Sequence, residues 1–300
     1  MPRRSPREHQ VVLLGGGLSK FASDRADGSI RDWVVEAVLE ALADAGVERD
    51  QIQHAISSYE SDHFANQLTQ GAIFHDAVGL CPKPNVRVEG GGATGGLAIR
   101  TAYAYLQAGL CDCILVCGAE SCGKRVTSQT AQEIFAMSAD TDWDMLVGGH
   151  FTAYYAMMIQ EHMRLYGTTE EQLALVAVKN HGNARFHPLA QKPLDLTVAD
   201  VLASPVIAAP YKLYDCSLLT DGAAALIMAT EQWAKKNVPH YQERPAVYLA
   251  GTGCGTDFMR LGDRPRPYPG LAHFRAKQEA AQQAYVMAGI KDPRRQIQVA

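Results

Sequence analysis

The chain has 300 residues, 47% of them hydrophobic, with a formal net charge of −4. A soluble chain of this size buries roughly three quarters of its unfolded surface, so one large core or two ordinary ones can form. The balance of 28 Lys and Arg against 32 Asp and Glu forces no basic surface and argues against general electrostatic binding to nucleic acid. No run approaches the roughly 18 apolar residues of a membrane span. The basic start MPRRSPREHQ leads into only four apolar residues, 11–14, too few for a secretory signal. Seven cysteines, at 81, 111, 113, 117, 122, 216 and 254, form no CxxC pair. That spacing speaks against a disulfide scaffold or a zinc site and for reduced thiols in a cytoplasmic protein.

Residues 11–14 read as a buried strand entering a turn at Gly15-Gly16-Gly17. From 31 to 45, Trp33, Val34, Val35, Ala37, Val38, Leu39, Ala41 and Leu42 recur at helical spacing, and Gly46 stops the run. Strands are predicted at 54–59 and 85–89, the second followed by Gly90-Gly91-Gly92. An Ala- and Leu-rich helix over 93–107 ends at Gly109, and CILVC at 113–117 is an apolar strand before Gly118. Such alternation implies right-handed crossovers and a mostly parallel sheet buried on both faces. Residues 125–240 differ, with helices at 151–166 and 170–184 joined by polar loops that contain Pro188, Pro193, Pro205 and Pro210. The apolar stretch 221–230 returns to the core. Residues 246–251 then resemble the opening strand, 271–288 its helix, and 297–300 the start of another strand.

Four segments carry a family resemblance: VEGGGATGGLA at 88–98, CILVCGAES at 113–121, GGHFTAYYA at 148–156 and CSLLTDGAAA at 216–225. Together with MRLYG and VAVKNH at 176–181, they resemble thiolases, closest to the sterol-carrier-protein-type branch and its archaeal and bacterial relatives. The resemblance covers nearly the whole chain in the same order. It implies an α/β fold of two βαβαβαββ halves packed around two central helices, with an inserted helical loop domain over the active site. The implied division is 1–124 for the first half, 125–240 for the loop domain and 241–300 for the start of a truncated second half. On that plan the chain is expected to be a piece of a longer protein, which the reading frame after Ala300 would test.

The departures from the family pattern bear on the chemistry. Thiolases carry a nucleophilic cysteine at the N-terminus of the first central helix, where free N–H groups and the helix dipole favour a thiolate. The alignment of VEGGGATGG places Gly92 at that position, and glycine cannot hold an acyl group. The later His, Asn and Cys motifs that activate the nucleophile have no counterpart here, since His150 and His187 belong to other motifs. The run Gly90-Gly91-Gly92 reads either as a tight turn or as N–H groups for an oxyanion, with Gly90 and Gly91 as the donors. The resemblance favours a vacated nucleophile pocket at Gly92. Thiolase-like aldolases that shorten steroid side chains carry a similar GGGA run and cleave β-hydroxyacyl-CoA by retro-aldol chemistry.

The same resemblance assigns His150 and Phe151 to the pantetheine channel and Ser217 to the coenzyme A tail. Read alone, His150 is a helix cap and Ser217 a turn residue. Asp221 and Gly222 read as structural. Cys122 is a candidate displaced nucleophile, and Tyr268 sits near the place of the aldolases' catalytic tyrosine. No cofactor is expected to be held permanently, because the coenzyme A thioester is the substrate. Implied partners are a second copy in a homodimer and a small zinc-ribbon and OB-fold subunit. Carbon–carbon cleavage or formation on an acyl-CoA is the leading expectation. A non-catalytic scaffold subunit and a fragment of a longer thiolase are the alternatives.

Overall fold

The computed structural model of the chain describes residues 10–123, 126–239 and 241–299. The basic first nine residues, the boundary expected at 124/125 and the terminal Ala300 lie outside the described residues.

Strand β1 (Val11–Leu18) runs straight through Gly15-Gly16-Gly17, where the sequence pattern predicts a turn. The cause is the next element. Helix α1 (Ile30–Ala45) crosses β1 so closely that a Cβ at Gly15 would collide with the backbone of Ala45, and one at Gly17 with the backbone of Ala37 and Ala41. The ends of α1 are defined by its own sequence. The Asp32 carboxylate accepts from the Ser29 N–H at 2.8 Å and from its Oγ–H at 2.7 Å, and Gly46 takes the left-handed φ of 63° that ends the helix. Between those ends Trp33, Val34, Ala37, Val38 and Ala41 are buried. Burying a large side chain such as Val38 contributes about 1.5–3 kcal/mol.

The chain continues through β2 (His54–Ser58), α2 (Asp62–Ala65), α3 (Gln70–Ala77), β3 (Asn85–Val88), α4 (Thr94–Gln107) and β4 (Cys113–Ser121). Alternate residues of β4 point to opposite faces, as strand geometry requires. Cys113, Leu115 and Cys117 pack with α1, and Ile114 and Val116 pack with Ala98, Ala102 and Leu106 of α4. The sheet is therefore covered by helices on both sides.

The insert comprises α5 (Ser128–Ala136), α6 (Phe151–Tyr166), α7 (Glu170–Ala184), α8 (Val198–Ala203), β5 (Val206–Ala208) and β6 (Tyr211–Lys212). Helices α6 and α7 have the expected limits. The start of α7 is legible because Thr169 and Gln172 form a reciprocal capping box. Ala174, Ala177 and Val201 form a small core separate from the sheet.

Strand β7 (Asp221–Thr230) returns to the sheet, followed by α9 (Glu231–Asn237), β8 (Val247–Tyr248), α10 (Arg275–Ala288) and α11 (Pro293–Gln296). The strand order is β3-β2-β4-β7-β1-β8. Only β2 pairs in parallel, with β3 and β4, while β7 is antiparallel to β4 and β1, and β8 to β1. The sheet is mixed rather than mostly parallel. β7 arrives from the insert instead of by a helical crossover, so nothing forces it into the direction of its neighbours. The strand expected at 246–251 shrinks to β8, paired with Val12 and Leu13 of β1. Beyond it, Gly251, Gly253 and Gly255 press on α10, where an added Cβ would collide with the carbonyls of Ala284, Ala280 and Ala276. Residues 297–299 form no strand.

Candidate active site

The turn between β3 and α4 contains three glycines with three different surroundings. Gly91 has a left-handed φ of 57°, and a Cβ on Gly90 would collide with the Leu97 side chain. Gly92 has neither restriction: nothing lies within 4 Å of where its Cβ would be. The backbone does not need glycine at 92, so the missing side chain leaves usable space.

The expectation that Gly90 and Gly91 offer free oxyanion donors does not hold. The Gly90 N–H donates to Thr94 Oγ1 at 2.9 Å, and the Gly91 N–H donates to Glu89 Oε1 at 2.5 Å. The Thr94 hydroxyl donates in turn to the Gly91 carbonyl at 2.5 Å. These bonds fix the turn and occupy its donors.

The three glycines line a cavity of about 790 Å³. Leu97 of α4 forms part of one wall, Glu60 and Ser61 enter from the β2–α2 connection, and His63 from α2. Phe151, Tyr154 and Met158 come from α6, while 254–259 and Arg264 come from the segment before α10. Glu60 is the titratable group of most interest. Burial pushes its carboxyl above the usual range, and the charge of Glu89 adds to the rise. The Ser138 hydroxyl donates to Glu60 Oε1 at 3.1 Å. Behind it, Glu120 at the end of β4 accepts from the N–H of Glu60 at 3.1 Å and of Ser121 at 3.3 Å. Burial pushes Glu120 up to about 7 in spite of those donors.

Of the residues singled out in the sequence, Phe151, Tyr154 and Tyr155 join the glycines in this wall. The Phe151 ring centroid lies 6.2 Å from that of Tyr154. His150 stands at the N-cap position of α6 without a side-chain cap bond, and its buried Nδ1 has no hydrogen-bond partner among the described residues. Ser217 is exposed and lies in a different groove of about 630 Å³, between α7 and the approach to β7. Tyr268 is 50% exposed and donates to Gln278 Oε1 at 2.6 Å, away from the cavity. His187 is exposed and accepts from the Leu189 N–H at 3.3 Å.

Cys122 is placed as a core thiol rather than a displaced nucleophile. Its Sγ–H donates to the Thr220 carbonyl at 3.1 Å, and burial among Phe64, Ala131 and Ile134 pushes the thiol up to about 11. A thiol this far above neutrality is protonated and a poor nucleophile. Asp221 is structural, as its sequence context implies: its carboxylate accepts from the Gly123 N–H at 2.7 Å and the Arg25 N–H at 3.3 Å. Sequence reasoning missed Glu60, Glu120 and Arg264. Glu120 had a visible signal, being a charged residue at the end of a fully apolar strand. Among the described residues no cluster of three His, Cys, Asp or Glu could hold a metal, and no helix is long and apolar enough to cross a membrane.

The thiolase N-terminal domain family matches residues 11–193. An acetyl-CoA acetyltransferase of Methanothermobacter thermautotrophicus is 35% identical over 279 residues, which cover 93% of this chain and 70% of that protein. Sterol carrier protein 2 of Bos taurus is 28% identical over 96% of this chain, which spans 53% of that protein. Among solved structures, the Ltp2-ChsH2(DUF35) aldolase matches with a TM-score of 0.76 at 22% identity, covering 94% of this chain and 70% of that one. At that identity the likeness is one of fold.

Proposed function

The chain belongs to the thiolase superfamily, in its sterol-carrier-protein-type branch, and from that premise we propose that it handles acyl-CoA thioesters by aldol chemistry without an acyl-enzyme. One observation carries the reading: Gly92, which the motif resemblance sets at the nucleophile position, has open space for a Cβ and lines the same cavity as Glu60, a carboxyl with a raised pKa. A thiolytic route needs a side chain at 92 to take the acyl group. A retro-aldol route needs an acid/base and stabilisation of the enolate, but no acyl-enzyme.

In the cleavage direction, Glu60 takes the proton of the β-hydroxyl. The bond between the α and β carbons breaks, and its electron pair passes into the thioester enolate. The β carbon leaves as an aldehyde or ketone, and protonation of the α carbon gives the shortened acyl-CoA. Glu60 is suited to this because its raised pKa lets it exchange a proton closer to neutral pH than an ordinary carboxylate. Glu120 positions it by accepting from its backbone N–H. Coenzyme A is substrate here rather than resident cofactor. The homodimer and the small zinc-ribbon and OB-fold subunit belong to the same proposal; the two-part name of the aldolase neighbour supports a second subunit.

The test is product analysis on a β-hydroxyacyl-CoA. Release of one carbonyl compound and one shortened acyl-CoA is expected, and Glu60→Gln should slow it by about a hundredfold or more while leaving substrate binding in place. Cleavage of the matching β-ketoacyl-CoA that depends on added free coenzyme A would show thiolysis instead.

A further inference from the structure

The cavity that holds Gly92 has a polar wall that the aldol chemistry does not use. The Arg264 side chain is only 6% exposed, yet its Nε and Nη1 donate to no described group. Its Nη2 forms an ion pair with Asp257 Oδ2 at 3.6 Å, beyond hydrogen-bonding distance, and that oxygen accepts no hydrogen bond among the described residues. The hydroxyl of Tyr154 and Oδ2 of Asp144 are also buried and unpaired among the described residues. All four residues line the one cavity. Buried polar atoms are nearly always hydrogen-bonded in folded proteins, because leaving them unpaired forfeits their hydration with nothing in return. Four such residues around one space mark the place where a ligand completes the bonding.

The composition of the set defines that ligand. Arg264 and Tyr154 supply donors, whereas Asp144 and Asp257 supply acceptors. Arg260, the neighbouring cation, is already held by Asp140 at 2.7 Å. Two carboxylates against one guanidinium disfavour an additional anion. A plain hydrocarbon would leave every one of these atoms unpaired. A neutral hydroxyl both donates and accepts, and so serves both halves of the set.

The geometry points to a subsite for an acyl group that carries one or more hydroxyls remote from its thioester. This rests on the acyl-CoA reading above and names the substrate class it would serve. Arg264 and Tyr154 act here as specificity-determining residues, and the carbon–carbon step is left to the Glu60 side.

The test uses the full chain and calorimetric titration with three ladders of rising chain length: acyl-CoAs, ω-hydroxyacyl-CoAs and ω-carboxyacyl-CoAs. At one or more lengths the hydroxylated compound should bind about tenfold tighter than its unsubstituted counterpart. That advantage should fall to about twofold or less in Tyr154→Phe and in Arg264→Met. Equal binding of the hydroxylated and plain ladders would overturn the subsite but leave the acyl-CoA reading intact, and so would tightest binding of the carboxylated ladder. Failure of all three ladders to bind would remove both readings.

Discussion

Two parts of this molecule are built on one packing rule and differ in what surrounds them. In the first, Gly15 and Gly17 of β1 lie against Ala37, Ala41 and Ala45 of α1; in the second, Gly251, Gly253 and Gly255 lie against Ala276, Ala280 and Ala284 of α10. Two strand residues advance about 6.6 Å and four helical residues about 6 Å, so glycine every second residue meets alanine every fourth. The backbones can then touch. Around the first pair the rule is reinforced: eight residues of α1 are buried and β1 sits inside the sheet. Around the second it stands nearly alone. No residue of α10 is buried, Val286 is 68% exposed, and β8 has only two residues. A local motif is enough to bring a strand and a helix together, but the burial that stabilises them comes from neighbours.

The sharpest way to break this comparison is alanine substitution of the matched glycines. Gly17→Ala should cost at least about 3 kcal/mol in chemical denaturation, because α1 is held by its buried face and cannot move away. Gly253→Ala should cost about 1 kcal/mol, since α10 can lift. Equal losses would mean that α10 is held as firmly as α1.

A second difference is electrostatic. The first unit adjoins β4, whose Glu120 titrates at about 7 rather than the ordinary 4.5. The folded state therefore binds that proton more readily than the unfolded one, and stability falls as pH rises from about 4.5 through 7. Glu120→Gln should flatten this slope, which amounts to roughly 1–3 kcal/mol across the window. Hydrogen exchange should locate the effect in β4 and its neighbours and leave α10 unchanged. An unaltered pH profile in the variant would show that Glu120 is solvated.

The smallest effect is expected at Gly92. Unlike the packed glycines it has open space where a Cβ would stand, so Gly92→Cys should change stability by less than about 0.5 kcal/mol. A large loss would mean that glycine is needed there for folding rather than for chemistry.

These contrasts also show what can be read from the sequence. Helices α1, α6 and α7 are legible because their signals are local: apolar spacing, caps and stop glycines within a few residues. The Gly15-Gly16-Gly17 run misleads for the opposite reason, since the backbone it accommodates lies twenty or more residues further along the chain. The direction of β7 is likewise hidden, because it depends on the path taken through the insert. In the site, the sequence motifs single out Gly92 and Phe151, and the fold brings both to one cavity. Glu60 and Arg264 are not, being isolated charges that only the fold brings to one cavity. The oxyanion reading of Gly90 and Gly91 fails on a detail invisible in a letter string, the occupation of their N–H groups by Thr94 and Glu89.

The central claim is that acyl-CoA chemistry proceeds here without an acyl-enzyme, and intact-mass measurement tests it most directly. The purified protein, incubated with an acyl-CoA and quenched, should keep its unmodified mass, with Cys122 and the other cysteines free. A stable acyl adduct on any cysteine would contradict it.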